Sequence, residues 1–147
     1  MRRRSRFTVL AAVAAVVTSF AVAPPASADA FDPKCVGDKV IRCVRLDTDG
    51  TGLSAAASIT DDQTDGSNYD VSVTRVDLMA YDSNLGWRAI DVATSPGWDR
   101  EWDRAETAHW ACSHGSSFKV HAILHWRAAG STGNGEAQHL ESESYDC

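Results

Sequence analysis

Apolar and polar residues alternate with a period of two along most of the chain. The clearest run is Phe118-Lys119-Val120-His121-Ala122-Ile123-Leu124-His125-Trp126-Arg127-Ala128, where Phe118, Val120, Ala122, Leu124 and Trp126 share one parity. Side chains of a strand point alternately to its two faces, so this pattern predicts a long strand with one buried side. Leu53, Ala55, Ala57 and Ile59 alternate with Ser54, Ala56, Ser58 and Thr60 in the same way, and Val40, Arg42 and Val44 mark a further strand around Cys43. Between Asn68 and Ala80 the parity changes. Tyr69, Val71 and Val73 fall on one face, Val76, Leu78 and Ala80 on the other, which predicts a bulge near Arg75.

Leu85 to Ala93, Thr107 to Cys112 and Ala137 to Tyr145 are three more candidate strands, the last polar enough for a sheet edge. Turn-forming clusters separate them, among them Asp47 to Gly52, Asp61 to Gly66, Asp82-Ser83-Asn84, His114-Gly115 and Gly130 to Gly135. About seven short strands with such punctuation predict an all-β fold, an antiparallel immunoglobulin-like β-sandwich of Greek-key type. The cysteine spacing of an antibody domain is absent.

Only Pro96 to Ala108 interrupts the pattern. It contains Trp98-Asp99-Arg100-Glu101-Trp102-Asp103-Arg104, in which Trp-Asp-Arg repeats at a four-residue step, and on a helical turn Trp98 and Trp102 would stack along one side. Two tryptophans amid charge either cap the open end of the sandwich or are displayed to a partner. Tryptophan and arginine are the side chains most enriched at interface hot spots, so Trp98, Arg100, Trp102 and Arg104 are the candidate partner-binding residues.

The first 28 residues stand apart from this pattern. Arg2, Arg3, Arg4 and Arg6 precede an apolar stretch from Phe7 to Val22, and Ala26-Ser27-Ala28 supplies a small-residue cleavage site, which together predict a secretory signal peptide over residues 1–28 and a single mature domain over residues 29–147. A membrane anchor is the competing reading, but Thr18 and Ser19 break the run and Pro24-Pro25 ends it. Removing the leader takes four of the 14 basic residues and none of the 20 acidic ones, leaving 119 residues with a net charge of −10. Nucleic-acid binding needs a basic footprint, so such partners are not expected. A membrane association is not expected either, since no second apolar stretch approaches a spanning length.

Four cysteines in an exported chain of this size predict two disulfides. Three pairings are open, and positions along the chain favour Cys35 with Cys43 and Cys112 with Cys147. In the chain-entropy picture these loops contribute roughly 2.5 and 4 kcal/mol. A zinc site is the rival use, but there is no CxxC knuckle and no Cys/His pair at ligand spacing.

Other constellations weaken on inspection. Asp47-Thr48-Asp49-Gly50-Thr51-Gly52 has the look of a calcium loop, yet the twelfth position carries Ser58 where a bidentate Glu belongs. His121 and His125 lie about 13 Å apart along one strand, too far to share a metal, and only the fold decides whether His109, His114 or His139 converge with them. No serine sits in a GxSxG elbow, and Ser113-His114 is mere adjacency on opposite faces. No catalytic residue, metal or cofactor is therefore expected.

The exporting leader, the cysteine-paired β domain with its Asn68-Tyr69-Asp70-Val71 segment and the C-terminal Cys147 resemble the small secreted proteins of actinomycetes. Among these the chain is similar in architecture to the adaptor subunits of umbrella toxin particles. The resemblance implies a secreted, non-enzymatic adaptor in interbacterial antagonism, with a lectin and a large toxin-bearing subunit as extracellular protein partners, and it transfers no functional residue. Polar edge strands suit such a role, and Asp29 to Lys34 would serve as an extended arm. Two other classes stay open: a carbohydrate- or cell-wall-binding module using Trp98 and Trp102, and a secreted protease inhibitor, for which a reactive loop flanked by cysteines is missing.

Overall fold

A computed structural model describes residues 29–63, 68–113 and 115–147. The predicted signal peptide over residues 1–28, the end of the Asp61 to Gly66 turn with Ser67, and His114 lie outside the described residues.

The described residues contain no helix and form two antiparallel sheets. The first is built on β3 (Val40–Thr48) and β4 (Leu53–Asp61). One edge of β3 carries β1 (Asp29–Ala30) and β2 (Lys34–Val36), while β8 (Trp102–Glu106) closes the other side against β4. The second sheet is centred on β5 (Tyr69–Asp82) and β9 (Ser117–Ala128). Beyond β5 lie β6 (Gly86–Ala93) and β7 (Asp99–Arg100); beyond β9 lie β10 (Glu136–Glu141) and β11 (Tyr145–Asp146). The expected antiparallel β-sandwich is therefore the architecture, with strand orders β1-β3-β4-β8 and β10-β9-β5-β6 of its own.

The period-two runs fix which faces meet. Val44, Leu46, Leu53, Ala55, Ala57 and Ile59 from the first sheet pack on Val71, Val73, Val76, Leu78, Phe118, Val120, Ala122 and Leu124 from the second, all of them buried. The parity change in β5 is a register shift between Val73 and Arg75 opposite β9, at the position where alternation breaks. The extra residue restores Val76 and Leu78 to the core face.

Both disulfides join the favoured pairs. Cys35 and Cys43 face each other directly across β2 and β3, with Cα atoms 4.2 Å apart. Cys112–Cys147 ties the loop before β9 to the final residue. Two disulfides in so small a domain are compatible with an oxidising, extracellular location.

Several expectations are corrected. The strand placed at Thr107 to Cys112 lies earlier, at Trp102–Glu106, and the later segment keeps only a bridge between Trp110 and Leu53. An inward-facing aspartate, Asp103, breaks the apolar alternation that would have marked it. The stretch from Ala137 to Tyr145 is two strands, because Ser142 leaves the ladder to bond Val120 through its backbone N–H and its hydroxyl. The residues 29–34 are not a free arm: Asp29 and Ala30 pair with Thr48 and Asp47, and the Phe31 N–H donates to the Leu46 carbonyl. Phe31 also packs on the ring of Tyr145 at 4.4 Å, joining the two sheets at that end.

Candidate functional site

No helical turn forms over the Trp-Asp-Arg repeat. Gly97 and Glu101 both take left-handed backbone conformations, with φ of 105° and 73°, which breaks a helix on either side of the first repeat. The segment is instead a strand that changes sheets. Asp99 and Arg100 pair with Val71 and Asp70 of the second sheet, the chain turns at Glu101, and Trp102 to Glu106 pair with Thr60 to Ala56 of the first. The Glu101 carbonyl accepts the Asp61 N–H at 2.8 Å and holds the corner. Sandwiches make such corners where one strand leaves a sheet for the other.

The crossing sends the two tryptophans to opposite outer faces. In β8, Asp103 and Ala105 point inward and are buried, so Trp102, Arg104 and Glu106 point out. Trp102 is 53% exposed and, with Arg104, Arg45, Pro33 and the Cys35–Cys43 bridge, lines a groove of about 280 Å³ on the outer face of the first sheet. Arg104 is tied by Glu106 at 2.6 Å and Asp47 at 3.6 Å, and Arg45 also reaches Asp47 at 2.9 Å. The cations beside Trp102 are therefore held in fixed positions on a carboxylate frame. Among the described residues β8 is also the terminal strand of its sheet, with no strand paired to one of its backbone edges.

Trp98 belongs to the other side. Its ring meets His125 edge-on at 6.3 Å and lies 4.0 Å from the guanidinium of Arg127, both outward residues of β9 that alternate with buried Leu124 and half-buried Trp126. Arg127 is itself fixed, donating to Asp70 Oδ2 at 3.3 Å and to the Gly133 carbonyl at 2.9 Å. Trp98, His125, Ser72, Thr74, Pro96 and Asn134 line an open cleft of about 430 Å³. Arg100 follows Trp98 to this face, 71% exposed and 3.9 Å from Asp70. The four candidate residues thus form two surfaces, Trp98 with Arg100 and Trp102 with Arg104, where the sequence reading placed them on one.

Sequence reasoning missed the residues that complete these surfaces. Arg127 under Trp98 was legible only as a polar position of β9, and Arg45, Asp47 and the first disulfide join Trp102 only through the pairing of β3, β4 and β8. Among the described histidines, only His139 meets His121, their facing ring nitrogens 3.1 Å apart. His125 lies in the Trp98 cleft, and His109 sits 3.9 Å from Asp49.

The acidic turn at Asp49 is closed by its own donors. Asp49 Oδ1 accepts the Thr51 hydroxyl at 2.6 Å and the backbone N–H groups of Thr51 and Gly52 at 2.9 and 3.0 Å, and these bonds, the hydroxyl foremost, lower its pKa to about 2. Asp103 has a corresponding structural use inside the sandwich. It accepts the Val73 N–H at 2.6 Å and the Ser95 hydroxyl at 2.6 Å, where β5 has no strand partner between β6 and β7. Among the described residues, no group of three or more His, Cys, Asp or Glu is arranged to hold a metal ion. No helix among them is long and apolar enough to cross a membrane.

No protein-family model matches the chain, and no curated protein and no solved structure matches it at a significant level.

Proposed function

We propose that the protein is a secreted, non-enzymatic adaptor that holds two extracellular protein partners, one on each outer face of its sandwich. The observation that carries this reading is the placement of Trp98 and Trp102, four residues apart in sequence, on opposite faces. Each tryptophan has a fixed arginine beside it, Arg127 at Trp98 and Arg104 at Trp102, and such pairs are the usual anchors of an interface. The open edge of β8 beside Trp102 adds backbone donors and acceptors that a partner strand would pair with. Within the resemblance to umbrella-particle adaptors, the partners are a lectin and a large toxin-bearing polypeptide in an antibacterial complex.

The test is purification of a C-terminally tagged chain from its native culture medium without reductant. Two other polypeptides in fixed ratio to the tagged chain are expected, and elution of the chain alone would sink the adaptor reading.

One observation favours a second reading at Trp98 alone. The cleft around it presents hydroxyls of Ser72 and Thr74, the Asn134 amide and the His125 imidazole beside an indole, a set suited to a sugar ring. Retention on polysaccharide, lost in Trp98→Ala and kept in Trp102→Ala, would select it.

A further inference from the structure

The outer face of the second sheet carries another cluster that neither tryptophan surface uses, four residues along β9 from His125. His121 Nδ1 lies 3.0 Å from Asp77 Oδ2, and His121 Nε2 lies 3.1 Å from His139 Nδ1. The pairing of strands produces this meeting. Asp77 stands directly opposite His121 across β5 and β9, and His139 of β10 is the diagonal neighbour of His121 on the same face.

Asp77 is well anchored, its side chain 5% exposed and its Oδ1 accepting from Arg75 Nε at 2.6 Å. It takes the Nδ1–H of His121. That fixes the tautomer and leaves the Nε2 lone pair of His121 directed at His139. A histidine whose second nitrogen is held by a carboxylate is the arrangement that orients imidazoles for metal coordination.

We infer that His121 and His139 form a two-nitrogen chelate for a divalent transition metal of borderline softness, zinc, copper or nickel, with Asp77 as the carboxylate that orients it. The distance fits the chemistry. Two imidazole nitrogens bound to one tetrahedral zinc at about 2.0–2.1 Å stand roughly 3.3 Å apart, a few tenths of an ångström beyond the observed separation. Nitrogen donors select this class over calcium and magnesium, which take oxygen.

The proton balance is closed. Without metal, the hydrogen between the rings sits on His139 Nδ1. On binding it moves to Nε2 of the same exposed ring, both facing nitrogens become ligands, and no proton is gained or lost. Glu141, directly opposite His121, is held by Lys119 at 2.7 Å and is not a ligand, so water or a partner's side chain fills the remaining positions. Because the ligands come from β9 and β10, a bound metal fastens the edge strand β10 to the sheet.

The test is titration of the disulfide-intact mature chain with zinc chloride, followed by calorimetry and by long-range ¹H–¹⁵N spectra of the histidine rings. One equivalent is expected to bind with shifts confined to His121 and His139. His139→Gln, at an exposed position that leaves the core untouched, lowers affinity at least tenfold. Asp77→Asn weakens binding 10- to 100-fold, the range for loss of an orienting carboxylate. His109→Gln and His125→Gln leave it unchanged. Equal zinc affinity in the wild type and His139→Gln, or shifts at His109 or His125 instead, would overturn the site.

Discussion

Trp98-Asp99-Arg100 and Trp102-Asp103-Arg104 are the same tripeptide with a different outcome at each of its three positions. Trp98 is half-buried against Arg127, whereas Trp102 is the more exposed and lines a groove with the first disulfide. Asp99 is exposed, whereas Asp103 is 4% exposed and accepts two hydrogen bonds from other segments. Arg100 reaches only a distant carboxylate, whereas Arg104 is held by two. The difference comes from where each copy falls relative to the corner at Glu101. Local sequence sets the side chains available, and sheet register decides which of them become structure and which become surface.

The largest expected contrast is between the aspartates. Asp103→Ala leaves the Val73 N–H and the Ser95 hydroxyl without their acceptor inside the sandwich and is expected to cost about 3 kcal/mol, whereas Asp99→Ala stays within about 0.5 kcal/mol. Urea denaturation of the two variants measures both, and equal effects would break the comparison.

The corner itself comes next. A non-glycine residue in the left-handed region carries a penalty that glycine does not, so Glu101→Gly is expected to raise stability by about 1 kcal/mol with the fold retained. A loss of stability would mean that the Glu101 side chain, rather than the backbone turn, holds the corner.

The tryptophans sharpen the comparison further. Trp98→Ala removes the stack with Arg127 and is expected to cost about 1 kcal/mol, while Trp102→Ala changes stability by less than about 0.5 kcal/mol. Thermal unfolding separates these values, and their reversal would exchange the roles assigned to the two rings.

The smallest effect distinguishes an exposed carboxylate that organises a turn from the buried Asp103. The pKa of Asp49 is lowered in the folded chain, so its contribution is present above its ordinary value near 3.8 and is lost as pH falls through about 2. Carboxyl chemical shifts followed from pH 5 to 2 are expected to give that low midpoint, and Thr51→Ala, which removes the main donor, moves it upward.

The fold was legible where side chains alternate cleanly. Phe118 to Trp126 and Leu53 to Ile59 each keep one apolar parity because each lends one face to the core, and the bulge announced itself through the switch from Val73 to Val76. The disulfide pairs followed from chain position. What stayed hidden depends on groups that satisfy buried backbone. Asp103 occupies a core-facing position as an acceptor, so β8 lacks an apolar stripe and the four-residue repeat suggests a helical turn instead.

The candidate residues at Trp98, Arg100, Trp102 and Arg104 were identifiable from composition, but their division between two faces was not. It needs the left-handed turn at Glu101, and a glutamate gives no signal for that conformation. Likewise, the meeting of His121 with Asp77 and His139 requires the registers of β5 with β9 and of β9 with β10, which bring together residues 44 and 18 positions apart, so no local spacing encodes it.

The most direct measurement is hydroxyl-radical footprinting of Trp98 and Trp102 in the complex recovered from culture medium, repeated after removal of each partner in turn. The account predicts that each partner protects one tryptophan and leaves the other as reactive as in the free chain. Protection of both rings by a single partner, or of neither by any, would contradict an adaptor with two opposed binding faces.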